Sequence, residues 1–361
     1  PPRFPQSVFF AVDGSDLRLP YDPTNDFSLI RNAEGQKQYN LAHLNAMFDL
    51  MSKAYVDVTM QGKKGMNEHK ALISMIDRSN ILGKVIVLMD RGYESFNNIA
   101  HLQEKKWNFI IRAKESYGMI SNLQLPNSEE FDVDTTLTLT RRQTKETLAL
   151  LSAYPERYRW IQPHTTFDYI ALKDPTMYDL RFRVVRFRIS GGCYETVYTN
   201  LDSETFPIGT IKELYRLRWG IETSFRELKY TIGLSCLHGK KTDFLLQEVL
   251  KMLYTQTVLA FARKTTAGST EIANQSSDRK TKQPRLANKY YSCWSAIGST
   301  AFTLPVCTET VSSFFPRKLS PRSLNRSLIN DAVQRTQKCR VLIKVLTPES
   351  RILVAGENHV K

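Results

Sequence analysis

Two runs of uninterrupted apolar β-formers, each leading into an aspartate, constrain this chain more than anything else in it. Val8-Phe9-Phe10-Ala11-Val12 runs into Asp13, and Val85-Ile86-Val87-Leu88-Met89 runs into Asp90. A strand with one wet face alternates apolar and polar residues. One that is apolar at every position is buried on both faces, as in the middle of a sheet covered by helices on each side. An unpaired carboxylate at the end of such a strand is costly unless a cation sits beside it. The pattern therefore predicts an α/β chain with Asp13 and Asp90 at the tips of central strands. The alternative for any single aspartate at a strand end is a turn or helix cap, and that is the reading given to Asp16, Asp22 and Asp26.

Around these runs, further strands are predicted at residues 38–50, 54–61 and 109–111, and helices at 67–80 and from beyond Tyr93 to about residue 105. Residues 14–35, rich in Asp, Pro, Asn and Ser, read as loop. Thr-rich alternation at 135–140 and alternating basic and apolar residues at 181–189 predict antiparallel β-structure. The expected organisation is a first part of a core at 1–115 and a β-rich insertion at 116–195. The last part of the core follows at 196–263, then a basic polar linker and tail at 264–361.

The formal charge is +14 with a pI near 9.5, a surplus that favours a polyanionic partner such as nucleic acid. From Arg263 onward 17 Lys and Arg stand against 6 Asp and Glu, which makes the tail a candidate DNA-contacting region. The five cysteines are scattered and form no CxxC pair, which argues against a disulfide framework or zinc ribbon and for a reducing compartment. No membrane span is predicted.

The segment from Thr210 to Leu234 carries the most information. Thr210 and Glu213 have the spacing of a capping box, and Gly233 is placed to end the helix. On a wheel of ~100° per residue, Leu214, Leu217, Ile221, Phe225, Leu228 and Ile232 share an arc about 80° wide, a core-facing stripe. Tyr215, Arg218, Glu222 and Lys229 share a second arc of about 60° beside it. Along the axis these four span ~21 Å, too long for one metal pocket. Glu222 could reach a metal while Arg218 and Lys229 touch something extended and anionic. The plainer account is an ordinary helix with a charged rim.

These residues resemble a known family. Tyr215, Arg218, Glu222 and Lys229 reproduce the Tyr-x2-Arg-x3-Glu-x6-Lys signature of the insertion-sequence-four family of bacterial DDE transposases, within "LYRLRWGIETSFRELKYTIGL". "FFAVDGSDLRLP" around Asp13 is similar to the family's first acidic motif, "VIVLMDRGY" around Asp90 to its second, and "FIIRAK" to a further family segment. The resemblance runs from about Val8 to Arg263. It departs from the family at the N-terminus, where only 12 residues precede Asp13 in place of a DNA-binding region.

The resemblance implies an RNase H-like fold: a mixed five-stranded sheet with flanking helices, interrupted by a β-rich insertion. It implies that Asp13, Asp90 and Glu222 are catalytic and hold two Mg²⁺ or Mn²⁺ ions, with Asp13 bridging both. The implied activity is nicking at transposon ends and strand transfer into target DNA, with a DNA hairpin forming between those steps. Tyr215, Arg218 and Lys229 would contact DNA, and Arg91, Arg112 and Lys114 are further candidates. Tyr194 or Tyr198 is a candidate for stacking on a flipped base, against the simpler reading of a packed strand tyrosine. Implied partners are terminal inverted repeats, target DNA and a second copy of the chain on DNA, in the bacterial cytoplasm and at the nucleoid when DNA-bound. Two other readings compete: a DNA-binding remnant without catalysis, and an unrelated carboxylate hydrolase acting on glycosides.

Overall fold

The computed structural model describes residues 7–31, 36–115 and 118–275, with the side chains of Phe261 and of residues 264–275 outside the description. All of these lie within one compact unit, Pro1–Ser299. The strongly basic tail expected to touch DNA lies almost wholly outside the described residues.

Both apolar runs are central strands. β1 (Ser7–Leu19) pairs in parallel with β5 (Lys84–Met89), so that Val8 to Val12 face Val85 to Met89. β2 is the short strand Leu29–Ile30. β3 (Tyr39–Asp49) lies antiparallel between β1 and β4 (Ala54–Gly62), and β6 (Asn108–Arg112) is parallel to β5. The order β4-β3-β1-β5-β6 is a mixed five-stranded arrangement, but it is not the whole sheet. β7 (Phe131–Thr140), β8 (Tyr158–Trp160), β9 (Met177–Ser190) and β10 (Cys193–Thr199) continue it beyond β6, giving ten strands. The insertion is therefore fused to the core edge to edge through β10 and β6, and the expected boundary at 195/196 falls inside β10. It also carries one helix, α3 (Lys145–Ala153).

Two other expectations change. β1 does not stop at Asp13: it runs on to Leu19, because residues 13–19 pair with Ala46 back to Asn40 of β3. The predicted loop at 14–35 is thus half strand. Helix α6 (Thr242–Gln275) continues past Lys264, so the stretch expected as linker begins as helix.

Side chains on β1 alternate between two cores, as strand geometry demands. Phe9 and Ala11 pack in one with Ile221 and Phe225 of α5 (Trp219–Glu227) and with Leu245 and Val249 of α6. Phe10 and Val12 pack in the other with Leu72, Met75 and Ile76 of α1 (Glu68–Arg78) and Ile99 and Leu102 of α2 (Phe96–Glu104). By the same alternation Asp13 belongs to the α5 face and Gly14 to the α1 face.

A buried arginine fixes the passage from the insertion to the signature helix. Arg183 of β9 is 3% exposed and forks onto Asp132 of β7. Its guanidinium also donates to the carbonyl of Leu201 at 2.6 Å and that of Phe206 at 3.3 Å, just before α4 (Ile208–Arg216). Arg183→Met should leave Asp132 and those carbonyls without their donor and lower stability by ~3–5 kcal/mol. Chemical denaturation with an unchanged m-value would measure it.

Candidate functional site

The signature helix is not the straight rod of the wheel. It starts at Ile208 after Pro207, two residues before Thr210, and the Thr210–Glu213 capping box is not its start. Pro at the cap has no N–H to satisfy and its fixed φ suits the entry to a helix, so the chain begins winding earlier. At Leu217–Ile221 the bonding tightens to 3₁₀ type: Arg218 N–H donates to Tyr215 O at 3.0 Å and Ile221 N–H to Arg218 O at 3.1 Å. This knot separates α4 from α5. Beyond α5, Leu228–Ile232 loosens into a π-turn. Overwinding and then underwinding shift the azimuth of each signature residue away from the ideal wheel. Gly233 ends the segment with φ 99°, a left-handed cap that favours glycine, as expected.

Asp13 is placed by β1, Asp90 by the 3₁₀ turn Arg91–Tyr93 that follows β5, and Glu222 by the first turn of α5. Asp13 Oδ1 accepts the Gly14 N–H at 2.8 Å, and Asp90 Oδ1 accepts the Gly92 N–H at 2.9 Å. The second oxygen of each makes no hydrogen bond among the described residues. Burial pushes the Asp13 carboxyl up from an ordinary 3.8 to about 6; the negative charges of Asp90 and Glu222 add to the rise, while the Gly14 N–H and Arg218 oppose it. Asp90 and Glu222 therefore both lie within electrostatic reach of Asp13.

Glu222 faces Arg218 rather than the two aspartates: Arg218 Nη2 lies 2.8 Å from Glu222 Oε1, and Arg218 is 7% exposed. The guanidinium carbon also stands 5.3 Å from the centre of the Trp219 ring, and its Nε has no hydrogen-bond partner. Among the described residues no set of three His, Cys, Asp or Glu side chains is assembled to hold a metal ion. The donor set itself suits hard divalent cations, which take carboxylate oxygens. The two free aspartate oxygens and the raised Asp13 point the same way. The cationic partner of Glu222 in this arrangement is Arg218.

The remaining candidates divide. Arg91 is exposed next to Asp90. Lys229 is half-buried, and its ammonium is held below the usual lysine range by burial, with Asp16 opposing. Arg112 is paired to Glu195 at 3.2 Å, and the Lys114 N–H donates to Glu94 at 2.6 Å. Tyr215 was expected to touch a phosphate, yet it is 3% exposed within the core. Packing of α4 against β9 widens the buried arc to include it. Its hydroxyl has no hydrogen-bond partner. Tyr198 is fully buried edge-on to Phe182 and cannot stack on a base, while Tyr194 lies beneath Arg186. Asp22 does make the expected turn, accepting the Thr24 N–H at 2.9 Å. Asp16 does not: it is a strand residue bound to His43 and Lys63.

The sequence profile of the transposase DDE domain matches residues 5–254, most of the chain. This chain belongs to the DDE transposase family. The match contains Asp13, Asp90 and Glu222. No curated protein matches the chain. Among solved structures, the transposase domain is similar to a piggyBac transposase in a synaptic complex with hairpin DNA, at 10% identity and a TM-score of 0.41. That alignment covers 95% of this chain and 64% of the other, so the chain spans less than two thirds of that protein's length. Among the described residues no helix of the transposase domain is long and apolar enough to cross a membrane.

Because its folded pKa near 6 lies above the ordinary 3.8, Asp13 destabilises the ion-free fold at higher pH. That cost is complete above about pH 6 and vanishes as pH falls toward 4. Asp13→Asn should therefore raise the stability of the chelated protein by ~1–3 kcal/mol at pH 8, with the gain fading in acid. Melting curves across pH with EDTA present would check it.

Proposed function

We propose that this chain is a metal-dependent DNA transposase of RNase H-like fold in which Asp13, Asp90 and Glu222 hold two divalent cations, Mg²⁺ or Mn²⁺. The reading is supported by Asp13 and Asp90, each held by one backbone N–H with its second oxygen unbonded among the described residues, and by the electrostatic reach of Asp90 and Glu222 to the buried Asp13. Membership of the DDE family gives that arrangement its chemical meaning. The reaction is phosphoryl transfer: nicking at a transposon end, then joining of the freed 3′-end to target DNA. Bound divalent cations would polarise the attacking water or 3′-hydroxyl and offset charge on the leaving oxygen.

The chain's own residues supply position and charge balance. Asp13 and Asp90 each fix one oxygen on a backbone N–H, which leaves the other as a preset ligand. Glu222 completes the donor set by turning from Arg218. Arg218, released, faces a DNA phosphate, a partner with the same charge as the carboxylate it leaves. Lys229 and Arg91 would serve as DNA-backbone contacts, which position DNA without reading its sequence. Partners under this reading are terminal inverted repeats, target DNA and a second copy of the chain.

Purified protein should nick a duplex carrying its own terminal inverted repeat when Mg²⁺ or Mn²⁺ is supplied, and EDTA should stop it. Asp90→Ala should reduce nicking by at least ~100-fold while gel-shift affinity for the same duplex stays unchanged. Unaltered cleavage by Asp90→Ala would refute the site. A gel shift with no cleavage at any metal concentration would favour a DNA-binding protein without catalysis.

A further inference from the structure

Behind the two aspartates, on the opposite face of the sheet, lies a set of groups that the reaction itself does not use. His43 of β3 is 5% exposed and sits between two carboxylates. Its Nδ1 is 2.6 Å from Asp16 Oδ1 and its Nε2 is 2.9 Å from Glu68 Oε1, the latter an ion-pair contact rather than an aligned hydrogen bond. Lys63 closes the set on Asp16 at 3.0 Å. The imidazole and the Glu68 carboxylate press on Gly14: a Cβ there would stand 2.2 Å from His43 Nε2 and 2.7 Å from Glu68 Oε1. Gly14 is the residue whose N–H holds Asp13 Oδ1.

The next residue of α1, His69, serves the other aspartate. Its ring meets the Tyr93 ring edge-on at 6.4 Å. Asn98 Nδ2 lies 2.7 Å from His69 Nδ1 and donates at 2.8 Å to the Tyr93 carbonyl. Tyr93 closes the turn that Asp90 opens, donating its N–H to the Asp90 carbonyl at 3.2 Å. The helix start that carries both residues is itself tied to the sheet. Asn67 caps it, and the Gln61 side chain accepts the Asn67 N–H at 3.0 Å and donates to its carbonyl at 3.2 Å.

We propose that the first turn of α1 is a brace for the acidic site: Glu68, through His43, sets β1 at Asp13, and His69, through Asn98 and Tyr93, sets the turn at Asp90. Adjacent residues of one rigid helix thereby fix the spacing of two carboxylates that come from different strands. Glu68, His43 and His69 are positioning residues; none of them touches substrate. The inference rests on the reading of Asp13 and Asp90 as cation ligands.

The test uses hydrogen-exchange mass spectrometry on the metal-free chain together with Mn²⁺ titration followed by electron paramagnetic resonance. Glu68→Ala should speed exchange in the segment 9–19, and His69→Ala in the segment 88–96. Each should weaken Mn²⁺ binding ~10-fold or more while the melting temperature stays within a few degrees of the parent. Glu68→Asp, which keeps a negative charge facing His43, should move both readouts back toward the parent. Gly14→Ala should copy Glu68→Ala by pushing the clamp off the strand. Parent-like exchange and Mn²⁺ affinity in both alanine variants would overturn the brace. So would losses spread evenly over the chain in step with a lowered melting temperature. If the parent protein binds no Mn²⁺ and nicks no DNA, the catalytic reading fails, and the site-selective exchange pattern still decides whether the brace exists.

Discussion

Unbalanced negative charge at the C-terminal end of β5 and the middle of β1 is the constraint around which this molecule is arranged. A buried carboxylate is costly to ionise away from water, and the Asp13 carboxyl is raised chiefly by its burial, with the negative charges of Asp90 and Glu222 adding to the rise. Two devices contain it in the ion-free chain. The Gly14 and Gly92 N–H groups each hold one aspartate oxygen, and Arg218, nearly buried, brings a cation to Glu222. Both leave the site short of full neutralisation. Under the proposed function, divalent cations would supply the missing charge, and DNA phosphate would become the second partner of Arg218.

The position of Arg218 follows from the irregular winding of its helix. A uniform α-helix from residue 208 to 232 would carry the four signature residues along one smooth row. Instead a 3₁₀ knot at Leu217–Ile221 and a π-turn at Leu228–Ile232 change the phase twice. The knot draws Arg218 inward and leaves neighbouring Trp219 60% exposed, while Tyr215 is taken into the core with α4. Such departures recur where function asks a helix to aim side chains rather than merely pack. Below α5 the buried Ser224 hydroxyl donates to Tyr55 at 3.0 Å and accepts from Gln256 of α6 at 2.8 Å. This polar link seats the helix against β4 and α6.

Much of this was readable beforehand. The continuous apolar runs declared β1 and β5 to be central, because only a strand covered on both faces tolerates apolar residues at every position. The core stripe of Leu214, Ile221, Phe225 and Leu228 held, because burial of a helix face depends mainly on periodicity. Gly233 held because a left-handed cap demands glycine. Failures came where pairing or packing overrode local signals. Residues 14–19 looked like loop but extend β1, since β3 offers them a ladder. Tyr215 looked like a rim residue but is buried, since a second surface covers it. His43, Glu68 and His69 gave no warning, because their meaning lies in which atoms they meet across the sheet.

By itself the sequence determined which strands are central, which helix face is buried and which three acids to suspect, because these depend on residue type and spacing along the chain. Tertiary structure alone decided that the insertion extends the same sheet, that Glu222 pairs with Arg218, and that adjacent residues of α1 stand behind both aspartates. Those arrangements depend on distances of a few ångströms between segments far apart in the chain. Hydrogen bonding and steric exclusion act only at that range, Coulomb attraction is strongest there, and no spacing along the sequence encodes them.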